Sequence, residues 1–250
     1  MKRMTMTMGA VAAAAITGMA DAAIIFFLDE ALFDQALADA GKISKGIEDF
    51  EQALIAPPPS NVAILNDPLN INNLQGAFNP GDFIDNLTFQ ANTNGTPNIN
   101  DPGVNGLNPR GASGLVLFGA GFFGSANVGL TPNFTNDSFD ILSGLPAGDN
   151  HTALGMNVFN FTESPFPLEV RVFDKSEQQI GLISIQTDLS GSFLGILATG
   201  GETIGRVNLW SPDAFLEGVY DVQTYIIPAP SALALVGLAG LFGVRRRRRR

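Results

Sequence analysis

The one histidine of the chain, His151, ends the turn Gly148-Asp149-Asn150-His151, and no Gly-x-Ser-x-Gly motif supplies a nucleophile for it. The sequence therefore places it in a solvated loop. With no cysteine there is neither a thiol nucleophile nor a zinc-thiolate site. Phosphate loops, dinucleotide fingerprints and His-x-x-x-His metal pairs are absent as well, which sets nucleotide and nicotinamide chemistry aside.

Carboxylates are the chemistry that is left. Of the 24 acidic residues only Asp21 lies in the first 22 positions. Two acids roughly 5 to 10 Å apart would serve glycoside hydrolysis. Clefts that cleave sugars are lined by aromatic rings, however, and here one Trp and two Tyr accompany Phe residues that read as core. The same acids, with abundant Asn and backbone carbonyls, are hard oxygen donors suited to Ca2+, without an EF-hand pattern. Six Asn-x-Ser/Thr triplets start at Asn86, Asn94, Asn133, Asn136, Asn150 and Asn160, against roughly two expected by chance. They mark candidate glycosylation acceptors in turn-rich sequence.

The formal charge is −10, and the positive charge is concentrated at the ends, with six of the 14 basic residues in the final run. Without the two ends the chain is more acidic still, near −17. Such a chain does not bind nucleic acid, which needs clustered Lys and Arg.

The elements that must position these groups are mostly strands. Ile24 to Leu28 is an apolar strand, followed by a helix from Asp29 to Ala40 with Asp29 as N-cap and Gly41 as the stop. Ile47 to Glu51 resumes an extended pattern that ends at Pro57-Pro58-Pro59. From Asn79 to Gly111 turn signals dominate, around a strand at Asp82 to Ala91. Leu154 to Val158, Leu168 to Val172 and Arg206 to Trp210 alternate and predict half-buried strands, and Tyr220 to Tyr225 supplies the last. Many short strands with one helix predict a mostly β fold, an antiparallel, jelly-roll-like β-sandwich.

The two ends read as addresses. Lys2 and Arg3 precede an apolar segment from Gly9 to Met19 and the small-x-small site Ala20-Asp21-Ala22, the pattern of a secretory signal peptide. Signal peptidase would leave Ala23 as the first residue. At the other end Pro228-Ala229-Pro230 precedes an apolar stretch from Ala232 to Val244 and the run Arg245, Arg246, Arg247, Arg248, Arg249, Arg250. Thirteen residues make a helix of about 20 Å, short of the roughly 30 Å hydrocarbon core. Such a helix anchors transiently, and the arginines stay on the cytoplasmic side of the inner membrane.

That tail resembles the sorting signal of PEP-CTERM proteins, with Pro-Ala-Pro in place of Pro-Glu-Pro. The resemblance implies cleavage near the Pro-x-Pro by an exosortase-like protease and delivery to the cell surface or extracellular matrix. The motifs Phe33-Asp34-Gln35-Ala36-Leu37, Glu48-Asp49-Phe50-Glu51, a turn at Ser192-Phe193-Leu194-Gly195, and Gly218-Val219-Tyr220-Asp221-Val222 also look like the body of many such proteins. In similar jelly rolls an early acid and one on the last strand share a structural Ca2+. The resemblance puts that ion at Glu51 and Asp221, with Asp49 and Glu217 near.

The expected organisation is a signal peptide (1–22), an exported sandwich (23–225) and a sorting tail (226–250). The expected role is non-catalytic, at the cell surface or in the matrix, in association with polysaccharide. A secreted carbohydrate-active hydrolase is the rival.

Overall fold

The computed structural model describes residues 24–55, 62–65, 68–92, 115–118, 129–132, 138–143, 151–211 and 217–227. The elements run β1 (Ile24–Phe27), α1 (Glu30–Asp39), β2 (Ile43–Glu48), β3 (Val62–Leu65), β4 (Leu69–Asn70), β5 (Leu87–Asn92), β6 (Leu115–Phe118) and β7 (Gly129–Pro132). They continue with β8 (Ser138–Ser143), β9 (Ala153–Asn160), β10 (Phe166–Phe173), β11 (Gln179–Thr187), β12 (Ser192–Ala198), β13 (Arg206–Trp210) and β14 (Glu217–Ile226). All paired strands are antiparallel.

One sheet has the order β1-β12-β9-β14-β7-β6-β3, with β2 paired to the far half of β14. The second has the order β11-β10-β13-β8-β5-β4. Period-two alternation gives each sheet one apolar face, and the two faces close on each other. Leu154, Met156, Val158, Leu194, Ile196, Val219 and Val222 of the first sheet thus share a core with Leu87, Phe89, Ile141, Leu168, Val170, Val172, Val207 and Leu209 of the second. Each large apolar side chain buried there contributes about 1.5–3 kcal/mol.

Helix α1 covers the outer face of the first sheet. The Asp29 carboxylate caps it, accepting from the Leu32 amide at 3.1 Å, and Gly41 takes φ +61 just past its end. Its buried side chains Phe33 and Leu37 pack with Ala153 and Leu197. Phe33 lies flat on the sheet because Gly155 and Gly195 face each other across β9 and β12. A methyl on Gly195 would sit 2.5 Å from the Phe33 ring. Ser192 to Gly195 is therefore strand and a seat for Phe33. The expected turn there does not form, because Gly195 serves close packing and Gly191, at φ +75, provides the reversal.

A second departure matters more. β13 was expected to bury one face and wet the other, yet Arg206 and Asn208 are as buried as Val207 and Leu209. At β8 and β13 the outer face of the second sheet carries buried polar side chains, Asp140, Arg206 and Asn208.

Candidate functional site

Antiparallel partners point to the same side of a sheet. Arg171 pairs with Asn208, Asn208 with Asp140, and Asp140 with Gln90, so four polar side chains cross β10, β13, β8 and β5 in one row. Phe173, Arg206, Leu142 and Thr88 form the row beside it, and Glu169 pairs with Trp210 on the other side.

The centre of this face is closely bonded. Asp140 Oδ1 accepts from Asn208 Nδ2 at 2.8 Å and from Arg206 Nη1 at 3.1 Å, and the Gln90 side chain donates to the same carboxylate. Burial pushes the Asp140 carboxyl up, opposed by the Arg206 charge and the hydrogen bonds. Arg206 donates from Nε and Nη2 to Glu177 Oε2 at 2.9 and 2.7 Å, and its guanidinium lies 3.8 Å from the Phe173 ring centroid. Glu177 reaches it from the β10–β11 turn, where Asp174 Oδ1 accepts from the Ser176 and Gln178 amides. Exposure then rises towards β11. The Arg206 and Asp140 side chains are 5% and 4% exposed, Arg171 is 10%, Glu169 is 30%, and Leu182 and Ser184 are open to solvent.

At that open edge Trp210 is half-buried, with the Arg171 guanidinium 5.8 Å from its ring centroid. Arg171 Nη2 is in turn held by Glu169 Oε2 at 3.2 Å. The edge brings together the half-buried Trp210 ring, the Arg171 guanidinium and the Glu169 carboxylate, with Leu182 and Ser184 across the strand. The chemistry it suits is directional hydrogen bonding beside an aromatic platform. The outer face of the other sheet also carries rings, but Phe118, Phe159 and Phe161 stack on one another edge to face, and Phe118 and Phe159 are buried.

The two carboxylates expected to share an ion, Glu51 and Asp221, are only partly brought together. Asp221 sits at φ +55 in a bulge of β14, where that strand changes partner from β7 to β2. Its Oδ2 accepts from Asn157 Nδ2 at 3.3 Å. Partial burial raises the Asp221 pKa, and so do the neighbouring charges of Asp49, Glu51 and Glu30, against the Asn157 hydrogen bond. Glu51 is thus in electrostatic range but exposed, and its amide is bonded to Asp49 Oδ1. Among the described residues no group of three or more His, Cys, Asp or Glu is placed to hold a metal ion.

His151 is not solvated. It is fully buried, and its Nδ1 lies 2.6 Å from Ser143 Oγ. The turn composition before it concealed that β9 begins at Ala153 and draws His151 into the end of the sandwich. Of the glycosylation candidates, Asn160 is fully buried and donates from Nδ2 to the Phe166 and Pro167 carbonyls at 3.1 and 3.5 Å, which leaves no room for a glycan in this fold. Asn86, 8% exposed at φ +66, opens β5 and bonds to Asp85. Asn94, Asn133, Asn136 and Asn150 lie outside the described residues, as do Ala20 and Ala22 and the tail Pro228, Ala229, Pro230 and Arg245 to Arg250. No helix among the described residues is long and apolar enough to cross a membrane.

No signal in the sequence singled out Asp140 or Arg171, and Trp210 was noted only as the one tryptophan. The strict alternation of Arg206 to Trp210 was the single pointer to this face. No protein-family model and no curated protein sequence matches the chain. Among solved structures, a family 29 carbohydrate-binding module is 11% identical over 56% of this chain and 88% of its own, with a TM-score of 0.31. The family 11 module of the cellulase Lic26A-Cel5E of Clostridium thermocellum is 9% identical over 73% of this chain and 94% of its own, at a TM-score of 0.26. The CBM22-1 and GH10 modules of a xylanase of the same organism are 12% identical over 74% of this chain and 29% of their own, at 0.31. Likenesses of this strength bear on neither the ligand nor the activity of this chain.

Proposed function

We propose that this protein is an exported, non-catalytic, saccharide-binding sandwich that works at the cell surface or in the extracellular matrix. The observation that carries the reading is the graded face of β10, β11 and β13. Beside its buried polar centre the edge carries Trp210, Arg171 and Glu169, with the guanidinium already held by the Glu169 carboxylate, and side chains held before binding lose less entropy on binding. A pyranose ring has an apolar C–H face for Trp210 and hydroxyls for the guanidinium and carboxylate beside it. Successive strands β8 to β10 and β11 to β14 pass from sheet to sheet, which supports the jelly-roll reading of the body.

The bonding around Asp140 also favours binding over hydrolysis. Asp140 is the carboxyl buried on this face, and Arg206, Asn208 and Gln90 surround it. Titration calorimetry of the full chain against a panel of neutral soluble polysaccharides tests the proposal. At least one glycan is expected to bind, Trp210→Ala is expected to weaken it tenfold or more, and no reducing sugar is expected to be released. Binding that Trp210→Ala leaves unchanged, or none across the panel, would remove this face from the proposal.

The route to the surface belongs to the same proposal. The order of charge, apolar segment and small-x-small site at one end, and of Pro-x-Pro, apolar helix and arginines at the other, supports processing by signal peptidase and an exosortase-like protease. Intact-mass measurement of surface material is expected to find a chain that starts near Ala23 and lacks Arg245 to Arg250. A surface form that keeps the arginine run would sink this part.

A further inference from the structure

One end of the otherwise apolar core is polar. Asn160 and Glu217 are direct partners across β9 and β14, on the inward side shared by Val158 and Val219 two residues along. Ser211 follows β13 and Thr187 closes β11 at the same end. The exposures of Asn160, Glu217 and Ser211 are 0%, and that of Thr187 is 2%.

The donors of this group are committed to carbonyls. Asn160 Nδ2 donates to the Phe166 and Pro167 oxygens at 3.1 and 3.5 Å, and Ser211 Oγ donates to the Pro167 oxygen at 3.5 Å. Thr187 Oγ1 donates to the Val158 and Asp188 oxygens at 3.2 and 3.5 Å. The other amide atom of Asn160, its buried Oδ1, has no hydrogen-bond partner among the described residues. An acceptor buried without a donor is costly. The residue opposite it, Glu217, adds a carboxylate instead of a donor.

We propose that this group is a binding site for a divalent cation of the calcium class. One carboxylate, an amide oxygen and hydroxyl and carbonyl oxygens form an oxygen-only donor set, mostly neutral and irregular. Ca2+ accepts such a set, whereas Mg2+ demands a tight octahedron and keeps its waters. The site lies at the strand pair β9 and β14, distinct from Glu51 and Asp221. Bound there, the ion would join the first sheet to the start of β10 and the end of β13.

The test uses the full chain, treated with chelator and desalted, with CaCl2 as the probe. Thermal melts with and without Ca2+ are expected to show a rise in Tm for wild type, by linkage, and a matching heat in titration calorimetry. Glu217→Gln keeps the shape of the side chain and removes its charge, and is expected to weaken the apparent Kd for Ca2+ at least tenfold. Asp221→Asn is expected to retain the wild-type response. Should Glu217→Gln fail to fold, Ser211→Ala gives the comparison, with a few-fold loss expected. A wild-type chain that neither binds Ca2+ nor gains Tm would overturn the proposal and leave a buried water as the partner of Asn160. A response lost in Asp221→Asn and kept in Glu217→Gln would overturn it equally. None of these readouts involves a glycan, so the saccharide proposal stands or falls separately.

Discussion

Arg206→Met is expected to cost about 3–5 kcal/mol of folding free energy, the range for breaking a buried ion pair from one side. Methionine fills the volume over the Phe173 ring but leaves Asp140 in place with Asn208 and Gln90 as its remaining donors. Asp140 is 3% exposed, and burial already raises its pKa with the guanidinium present. Without it the carboxyl rises further and takes up a proton in the folded state. A raised folded pKa means stability that is present at low pH and lost as pH rises through that pKa. The deficit is therefore expected to be smaller in urea melts at pH 5 than at pH 8. Asp140→Asn should cost less than Arg206→Met, because Arg206 keeps two hydrogen bonds to Glu177 at the surface. Equal costs for the two variants, or a deficit independent of pH, would show that the network contributes packing and little charge.

Arg206 to Trp210 also shows how far the sequence could be read. Alternation predicted the strand with its boundaries, and it placed Leu168 to Val172 and Leu154 to Val158 inside the longer β10 and β9, because a sheet with one apolar face imposes period two on the chain. The Asp29 cap and the Gly41 stop were readable for the same reason, since each answers a local backbone need. What alternation does not report is the condition of the polar face. Arg206 and Asn208 look like solvated residues, and only the registers to Asp140, at a separation of 66 and 68 positions, turn them into a buried network. His151 and Ser143 were missed in the same way, through a contact set by the packing of β8 against the start of β9. Gly195 read as a turn because its role depends on Phe33, which lies far from it in sequence and directly above it in space. The resemblance set the segment of Glu51 near the last strand, and β2, just before it, does pair with β14. It did not foresee the bulge at Asp221.

Glu48 carries the second large effect, on the dependence of stability on pH. It ends β2, is 2% exposed, and its two oxygens accept from the Phe50 amide and the Ile84 amide, each at 2.9 Å. The carboxyl thereby holds Phe50 at φ +58 with its ring 5.4 Å from that of Phe89 in the core. That backbone conformation is rare for a bulky residue and persists only where packing enforces it. Burial, with a smaller push from Asp49, outweighs the two amides and raises the Glu48 pKa from 4.5 to about 7. For a carboxyl raised on folding, the folded chain binds more protons than the unfolded one between the two values. Stability is then full below pH 4.5, falls as pH rises to 7 and is flat above it, by about 3 kcal/mol in all. Asp140 and Asp221 act in the same direction, so the Glu48 part must be read as a difference. Glu48→Gln matches the protonated side chain in shape. Its unfolding free energy, measured by urea titration at half-unit steps from pH 4.5 to 8, is expected to lie about 1–3 kcal/mol below that of wild type at the acidic end, because the Gln Nε2 donor faces one of the two backbone amides that Glu48 accepts from. It is expected to gain on wild type by about 3 kcal/mol by pH 8. Parallel curves would mean that the two backbone amides keep Glu48 ionised throughout, and that the hydrogen bonds outweigh burial at this position.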